Sequence, residues 1–497
     1  MDKKNFDIII VGSGLGGLEC GYILSKKGYS VCILEKNPQI GGCLQTFRRG
    51  KTVFDTGFHY VGGLEEGQSL HRLFRYFDLI DLPWHRMNKE SFAEVILEDK
   101  SYSFANGYEA FVDTLAKDFP QQRAQLKNYT NFLKQVGDNI NNSFAPKEDS
   151  ANFTSSLFER SAYSFLQETI DDSLLRNVLS AASLTMELNA EKLPLYIFAQ
   201  INNSFIQSAW RLRGGGSLIA DKLAENIRKM GGTILTKANV TRLIEENGEI
   251  TTVEYNGEEQ IKGKYVISNL HPALTLSLIP ESQHIRKIYR KRIDNLQNTF
   301  GMFTVHLQLK ENAVPYLNKN IFLYKDNNLW NYHNHKPNTK TSAILISSQV
   351  PENESRYTRN IDILTPMHWE EVSEWENTFI EKRGEDYKAF KARKAEECIA
   401  LAMERIPELK GNIEKYFTST PLTYRDYTGT WNGSAYGIQK DHNNLMYTML
   451  TPQTQIPNLF LTGQNLNLHG ILGVSMTSFF TCAKITGMEE LVKDLIF

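Results

Sequence analysis

The sequence predicts an α/β fold: a parallel dinucleotide-binding sheet of Rossmann-like character, split along the chain, with an inserted α+β domain and a helical subdomain. Three observations predict it. An apolar run at 6–11 feeds a glycine turn and an amphipathic pattern, and a second apolar run ends on Glu35. Two distant stretches, 211–269 and 459 onward, repeat the strand and helix signals that such a sheet needs. With 497 residues the chain exceeds one small core, and long inserts separate those stretches.

Residues 6–11 read as a buried parallel strand because the run is short and apolar on both faces. It leads into Gly12, Ser13, Gly14, Leu15, Gly16 and Gly17. Gly12 permits a tight turn, Gly14 lets backbone approach a pyrophosphate, and Gly17 lets the helix pack closely on the strand. The helix that follows offers free N–H groups and its positive dipole end to phosphate. Glu35, followed by Lys36, stands at the tip of the second strand, where a carboxylate can accept from two ribose hydroxyls and would repel a 2′-phosphate. A further glycine pair, Gly41 and Gly42, with Cys43 after it, resembles the segment that crosses the ribityl and phosphate region in two-dinucleotide-binding flavoproteins. The predicted cofactor is therefore FAD rather than NAD.

Composition narrows the function classes. A hydrophobic share of 41% against 23% charged describes an ordinary globular chain, and a net charge of -2 gives no basis for a nucleic-acid partner. Five scattered cysteines (Cys20, Cys32, Cys43, Cys398, Cys482) form no Cys-x-x-Cys pair, which points to a reducing compartment and away from disulfides or zinc. His333 and His335 stand without further ligand-type neighbours, so no metal is expected. Lys3 and Lys4 precede an apolar run too short for a secretion signal, and no stretch nears about twenty apolar residues. The expected location is cytoplasmic, with contact at a membrane surface left open.

Residues 214–217 open a helical pattern through Met230, short strands follow at 233–235 and 240–244, a hairpin turns at Asn247-Gly248, and a strand ends on Asn269. A last strand at 459–461 leads into Gly463, Gln464 and Asn465, and a helix runs from Gly470 to the end. The expected domains are a nucleotide domain of 1–85, 211–272 and 455–497, a substrate domain of 86–119 and 273–454, and a helical subdomain of 120–210. Within the last, the greasy run 193–206 reads as a packed helix; the sharper alternative is a lid over an apolar channel or a patch resting on a membrane. Residues 299–310 alternate like a half-buried strand, with 342–347 as the expected partner. Residues 370–405 read as one charged helix, and 423–429 as a loop or strand edge, the alternative being a segment that closes over the substrate.

The chain resembles the phytoene desaturase, carotenoid isomerase and retinol saturase family of flavoproteins. The matching pieces are Val11-Gly-Ser-Gly-Leu-Gly-Gly17, Gly41-Gly-Cys-Leu-Gln-Thr-Phe47, Phe54-Asp-Thr-Gly-Phe-His-Tyr-Val-Gly62, Arg213-Gly-Gly-Gly-Ser-Leu218, Val266-Ile-Ser-Asn269 and Leu459-Phe-Leu-Thr-Gly-Gln-Asn465. The segment from Gly57 to Gly62 is most similar to the retinol saturase branch. The resemblance implies a split FAD domain, an apolar polyene or isoprenoid substrate, and saturation, desaturation or isomerisation of a carbon–carbon double bond at the flavin. It implies Asp55 and Gly57 near the flavin and Val240 at the adenine. Gln464-Asn465 stands where many relatives carry an acid, which leaves that one contact open.

Such chemistry asks the protein for orientation, dryness and charge balance, since the cofactor carries the hydride. The helix start around Gly473 and Val474 would favour a reduced, anionic flavin. A reduction also needs a proton donor, and the candidates are His59, Tyr60 and His469, in that order, each of which could instead serve packing. No second nucleotide motif follows a strand, so the electron donor or acceptor is unknown and any nicotinamide would act weakly or through a partner. Two other readings stand beside this one: a flavin amine oxidase, whose usual Gly-Glu near the C-terminus is missing, and a non-catalytic flavin-bearing lipid carrier.

Overall fold

The computed structural model describes residues 4–143, 148–181, 184–327, 329–330 and 339–495; His333 and His335 lie outside them. The strand Asn5–Val11 lies parallel to Val31–Leu34 on one side and to Glu259–Ser268 on the other. Thr233–Leu235 extends the sheet beyond Val31–Leu34. The free edge of Glu259–Ser268 is shared: its end pairs in parallel with Leu459–Leu461, and its start pairs with the antiparallel hairpin Val240–Glu246 and Glu249–Tyr255. Asn247 and Gly248 both take positive φ at that hairpin, as a two-residue turn between twisted strands demands. One seven-stranded sheet thus draws strands from three distant segments.

Helix Leu15–Lys26 packs against Ser217–Lys229 and Gly470–Thr486, burying Leu18, Tyr22, Ile219, Leu223 and Phe479 over Ile8, Ile10 and Ile33. Burial of each such side chain stabilises the fold by roughly 1.5–3 kcal/mol. The C-terminal helix does not run through to the end; Gly487, with φ 87°, separates it from Met488–Leu495.

A second seven-stranded sheet runs Ile413–Ser419, Gly301–Leu309, Asn360–Met367, Ala343–Ser348, Asn320–Tyr324, Ala93–Leu97, Lys100–Phe104. Two expectations fail here. Ala343–Ser348 does not pair with Gly301–Leu309, because Asn360–Met367 lies between them and bonds to both; Asp362 and Pro366 disguise that strand in the sequence. Gly301–Leu309 is buried on both faces rather than one. Its polar Thr304 and His306 are covered by Phe47 and Phe54 of the hairpin Thr46–Arg49 and Thr52–Asp55, and by Tyr424.

The stretch 370–405 is two single turns, Trp369–Glu371 and Ser373–Trp375, before a helix at Gly384–Met403. Residues 423–429 are helical: Thr420 caps and Pro421 opens Pro421–Thr428, and Gly429 in the left-handed region ends it. The greasy run 193–206 forms most of helix Leu195–Gln207, whose Tyr196, Phe198 and Ile206 are buried against Tyr129, Leu133 and Val136. It is interior, not a surface patch. The turn Gly214–Gly216 follows a short strand, Ala209–Leu212, where none was expected ahead of a second glycine motif. The Gly216 N–H of that turn donates to Asp55 Oδ1 at 2.7 Å.

Candidate functional site

The first glycine turn is as tight as the sequence requires. Gly12 has φ 94°, and a Cβ on Gly17 would lie 2.1 Å from the Gly12 carbonyl oxygen. The Gly41 N–H donates to the Ser13 carbonyl at 3.0 Å. A Cβ on Gly42 would come within 3.2 Å of Gly14 Cα, so the two glycine turns meet backbone to backbone. Asn269 closes over them: a Cβ on Gly14, Gly16 or Gly463 would sit 2.6–2.8 Å from its carboxamide. At the far end Glu35 is buried; its Oε2 accepts from the Ser13 N–H at 3.0 Å and the Ser13 hydroxyl at 2.6 Å, and its Oε1 from the Asn37 N–H at 2.8 Å.

A cavity of about 360 Å³ opens on these turns, within the range of small-molecule sites. Of the residues singled out from sequence, Gly14, Leu15, Gly16, Gly41, Gly42, Cys43, Gly57, His59, Tyr60, Asn269, Gly463, Gln464, Asn465, His469 and Val474 line it. Gly12, Ser13, Gly17, Glu35, Lys36, Asp55, Val240 and Gly473 do not line it. Lys36 Nζ donates to the Asp426 carbonyl at 3.2 Å, and Val240 begins its strand opposite Tyr255. Asp55 is buried away from the cavity, holding the Gly216 N–H and accepting from Gln349 Nε2 at 2.7 Å; burial pushes its carboxyl up to about 8. It ties the turn that starts helix Ser217–Lys229, packed on the nucleotide sheet, to the end of strand Ala343–Ser348 of the second sheet.

Two helices start at the cavity wall, Leu15–Lys26 and Gly470–Thr486; neither has a side-chain cap or an acid in its first turn. Their positive ends therefore stay available to an anion. The two helices are locked together by Glu19, whose carboxyl accepts from the Ser475 and Ser478 hydroxyls at 2.6 and 3.0 Å and is pushed well above the usual carboxylate range by burial. A dinucleotide fits this set: glycine backbone without side chains at the turns, open helix starts for phosphate, and one buried carboxylate at the ribose end.

Burial pulls the His59 and His469 imidazoles down to about 4, so both are neutral near pH 7. His469 Nε2 lies 2.9 Å from the Thr185 carbonyl oxygen and therefore donates to it. Burial pushes Tyr60 the other way, well above the usual phenol range, so it keeps its proton. Its ring stacks on Phe205 at 4.1 Å, Asn320 and Arg211 stand near its hydroxyl, and Asn320 Oδ1 accepts from the buried Arg211 at 2.7 Å.

Sequence reasoning missed Arg211 and Asn320 behind Tyr60, and Trp431 with His271 across the cavity. His271 Nδ1 accepts from the Ala273 N–H at 3.2 Å, Nε2 faces Asn298 Oδ1 at 3.1 Å, and the ring stacks on Trp431 at 5.4 Å. The Asn269-Leu-His-Pro272 run past the strand end was the available signal, since a polar residue before proline marks a helix start. Helix Leu195–Gln207, though interior, gives the cavity Gln200, Ile201, Ser204 and Phe205. Among the described residues, no Asp, Glu, Lys or Arg lines the cavity.

The family model described as flavin containing amine oxidoreductase matches residues 15–472. The chain is 26% identical over 540 residues to the all-trans-retinol 13,14-reductase of Macaca fascicularis, across 99% of this chain and 87% of that protein. It is 23% identical over 521 residues to prolycopene isomerase 1, chloroplastic, of an Oncidium hybrid cultivar, across 98% and 86%. Among solved structures, an oxidoreductase from Methanosarcina mazei superposes with a TM-score of 0.64 at 15% identity, covering 97% of this chain and 99% of the other. Cyclohexylamine oxidase from Brevibacterium oxydans gives 0.60 at 13%, covering 98% and 99%. At such identities these two speak for the fold alone.

Proposed function

The chain belongs to the flavin-containing amine oxidoreductase family and is a FAD-dependent oxidoreductase, and from that premise we propose that it acts on a carbon–carbon double bond of an apolar polyene. The observation that carries this reading is the cavity without a charged side chain among its described residues. An amine enters a flavin site with an ammonium to be held or deprotonated, and a carboxylate is the ordinary partner for it. Here Ile201, Phe205, Met302, Leu345, Leu364 and Leu468 face the space instead. Relatives named for retinol reduction and prolycopene isomerisation point the same way.

FAD would be held by the Gly12–Gly17 turn, Glu35, Gly41 and Gly42, and the helix start at Gly470. When bound, it supplies hydride exchange with the substrate carbon. The protein's own work is to exclude water, to orient an apolar chain, and to deliver a proton at neutral pH. His59 and His469, neutral there, are poor acids in the imidazolium sense. Tyr60 carries its O–H at the cavity wall, and the nearby Arg211 charge offsets part of what burial does to its phenolate, so Tyr60 is assigned the donor role, ahead of the histidines.

The test is anaerobic incubation of dithionite-reduced holoenzyme with all-trans-retinol and with a cis-polyene, followed by mass spectrometry and isomer analysis. A two-dalton gain or a change of isomer supports the reading. Bleaching of the oxidised flavin by simple amines, with the polyenes unchanged, overturns it. Tyr60→Phe is expected to lower product formation roughly 100-fold, the lower end for loss of a general acid, while flavin content stays unchanged.

A further inference from the structure

Helix Lys287–Asp294 turns Ile293 inward and leaves Ile288 78% exposed. One turn later on the same outward face stands Arg292. Its guanidinium donates to the Met446 and Tyr447 carbonyls, each at 2.8 Å, and lies 5.5 Å from the Tyr447 ring. That clamp brings the single turn Leu445–Thr448 beside the helix, where Met446 is 92% and Tyr447 43% exposed. Three large apolar side chains therefore stand together in water, on different elements. The run 286–292 carries five cations and no acid, the first being Asp294; Arg290 donates inward to the Leu276 and Ile279 carbonyls, and Arg286, Lys287 and Lys291 are exposed.

We propose that this surface docks on an anionic lipid bilayer. Cations beside protruding apolar side chains fit a bilayer: the charges meet anionic head groups, Ile288 and Met446 enter the acyl boundary, and Tyr447 sits at the interface where amphipathic rings are favoured. A nucleic acid would use the cations and leave the apolar crown in water. A second copy of this chain would bring like charge against like. The turn also ties the surface to the interior, because Leu445 and Met449 pack on the apolar cluster that includes the cavity-lining Leu184 and Leu468. Drawing an apolar substrate from the bilayer would follow from that tie; this last step rests on the polyene reading, and the docking itself does not.

The test is co-sedimentation of the FAD-loaded enzyme with sucrose-loaded vesicles of phosphatidylcholine alone or with a third phosphatidylglycerol. Binding is expected to the anionic vesicles and to weaken with added salt. The pairs Ile288→Glu with Met446→Glu and Lys287→Glu with Lys291→Glu should each weaken it at least about tenfold, with flavin spectrum and melting temperature retained. Independently, the Met446→Trp emission should shift to the blue on adding anionic vesicles. No binding by the parent enzyme, variants that bind like the parent, an unshifted Trp, or retention of single-stranded DNA in place of vesicles would each overturn the proposal. Loss of polyene turnover with intact vesicle binding would count against the substrate reading alone.

Discussion

Glu35 joins the nucleotide end of the site to its first turn, since one carboxylate oxygen takes both the N–H and the hydroxyl of Ser13. Glu35→Ala removes those bonds along with the proposed ribose contact. Charge-assisted bonds are worth about 1.5–3 kcal/mol each, so FAD affinity should fall at least about tenfold; equilibrium titration of stripped protein with FAD measures it, and unchanged affinity would remove Glu35 from the site. Asp55 makes a different prediction. Its carboxyl is pushed up to about 8 by burial, above the roughly 3.9 of an unfolded aspartate. The folded state then binds more protons across that window, so this group's stabilisation is full below about pH 4 and is lost as pH rises through about 8. Asp55→Asn, which retains an acceptor for Gly216, should flatten the fall in melting temperature between those limits, read by thermal scans in a pH series. At this scale Glu35 was legible because a strand end beside a glycine turn has one geometry. Asp55 was not, because its partners Gly216 and Gln349 are 161 and 294 residues away.

Helices and turns reveal a second kind of dependence. A Cβ on Gly62 would lie 2.4 Å from the Ser204 backbone, so a strand end and the cavity-forming helix Leu195–Gln207 touch without a side chain between them. Gly62→Ala should push that helix outward, destabilising the fold by about 1–3 kcal/mol as overpacking does. It should also change the affinity for apolar ligand before it changes FAD content; ligand-induced shifts of the flavin spectrum follow the first and absorbance the second. The periodic elements (the opening βαβ unit, the Asn247-Gly248 hairpin and Leu459–Leu461) were readable because local pattern and tertiary environment agree. Asn360–Met367 and Pro421–Thr428 were missed because Asp362, Pro366 and a run of polar aromatics break their patterns. The second face of Gly301–Leu309 escaped for another reason: what buries Thr304 and His306 is a hairpin some 250 residues earlier.

For the whole molecule, the sheet and both open helix starts need strands and helices from three separated segments, so cofactor and fold stabilise each other. FAD binding only the folded state at 100 times its dissociation constant adds about 2.7 kcal/mol. Stripping FAD should therefore lower the melting temperature by a few degrees, restored on adding it back; a transition that ignores FAD would show that the glycine turns do not form its site. The sequence by itself determined the dinucleotide turns, the ribose-end acid and hence the cofactor, because a phosphate-binding βαβ unit is specified by residues within one short stretch. Only the tertiary structure decided that Tyr60 keeps its proton while His59 and His469 are neutral, that Asp55 braces two sheets, and that the cavity carries no charge among its described residues. Those properties come from burial and from partners far apart in the chain, and neither is written in local order.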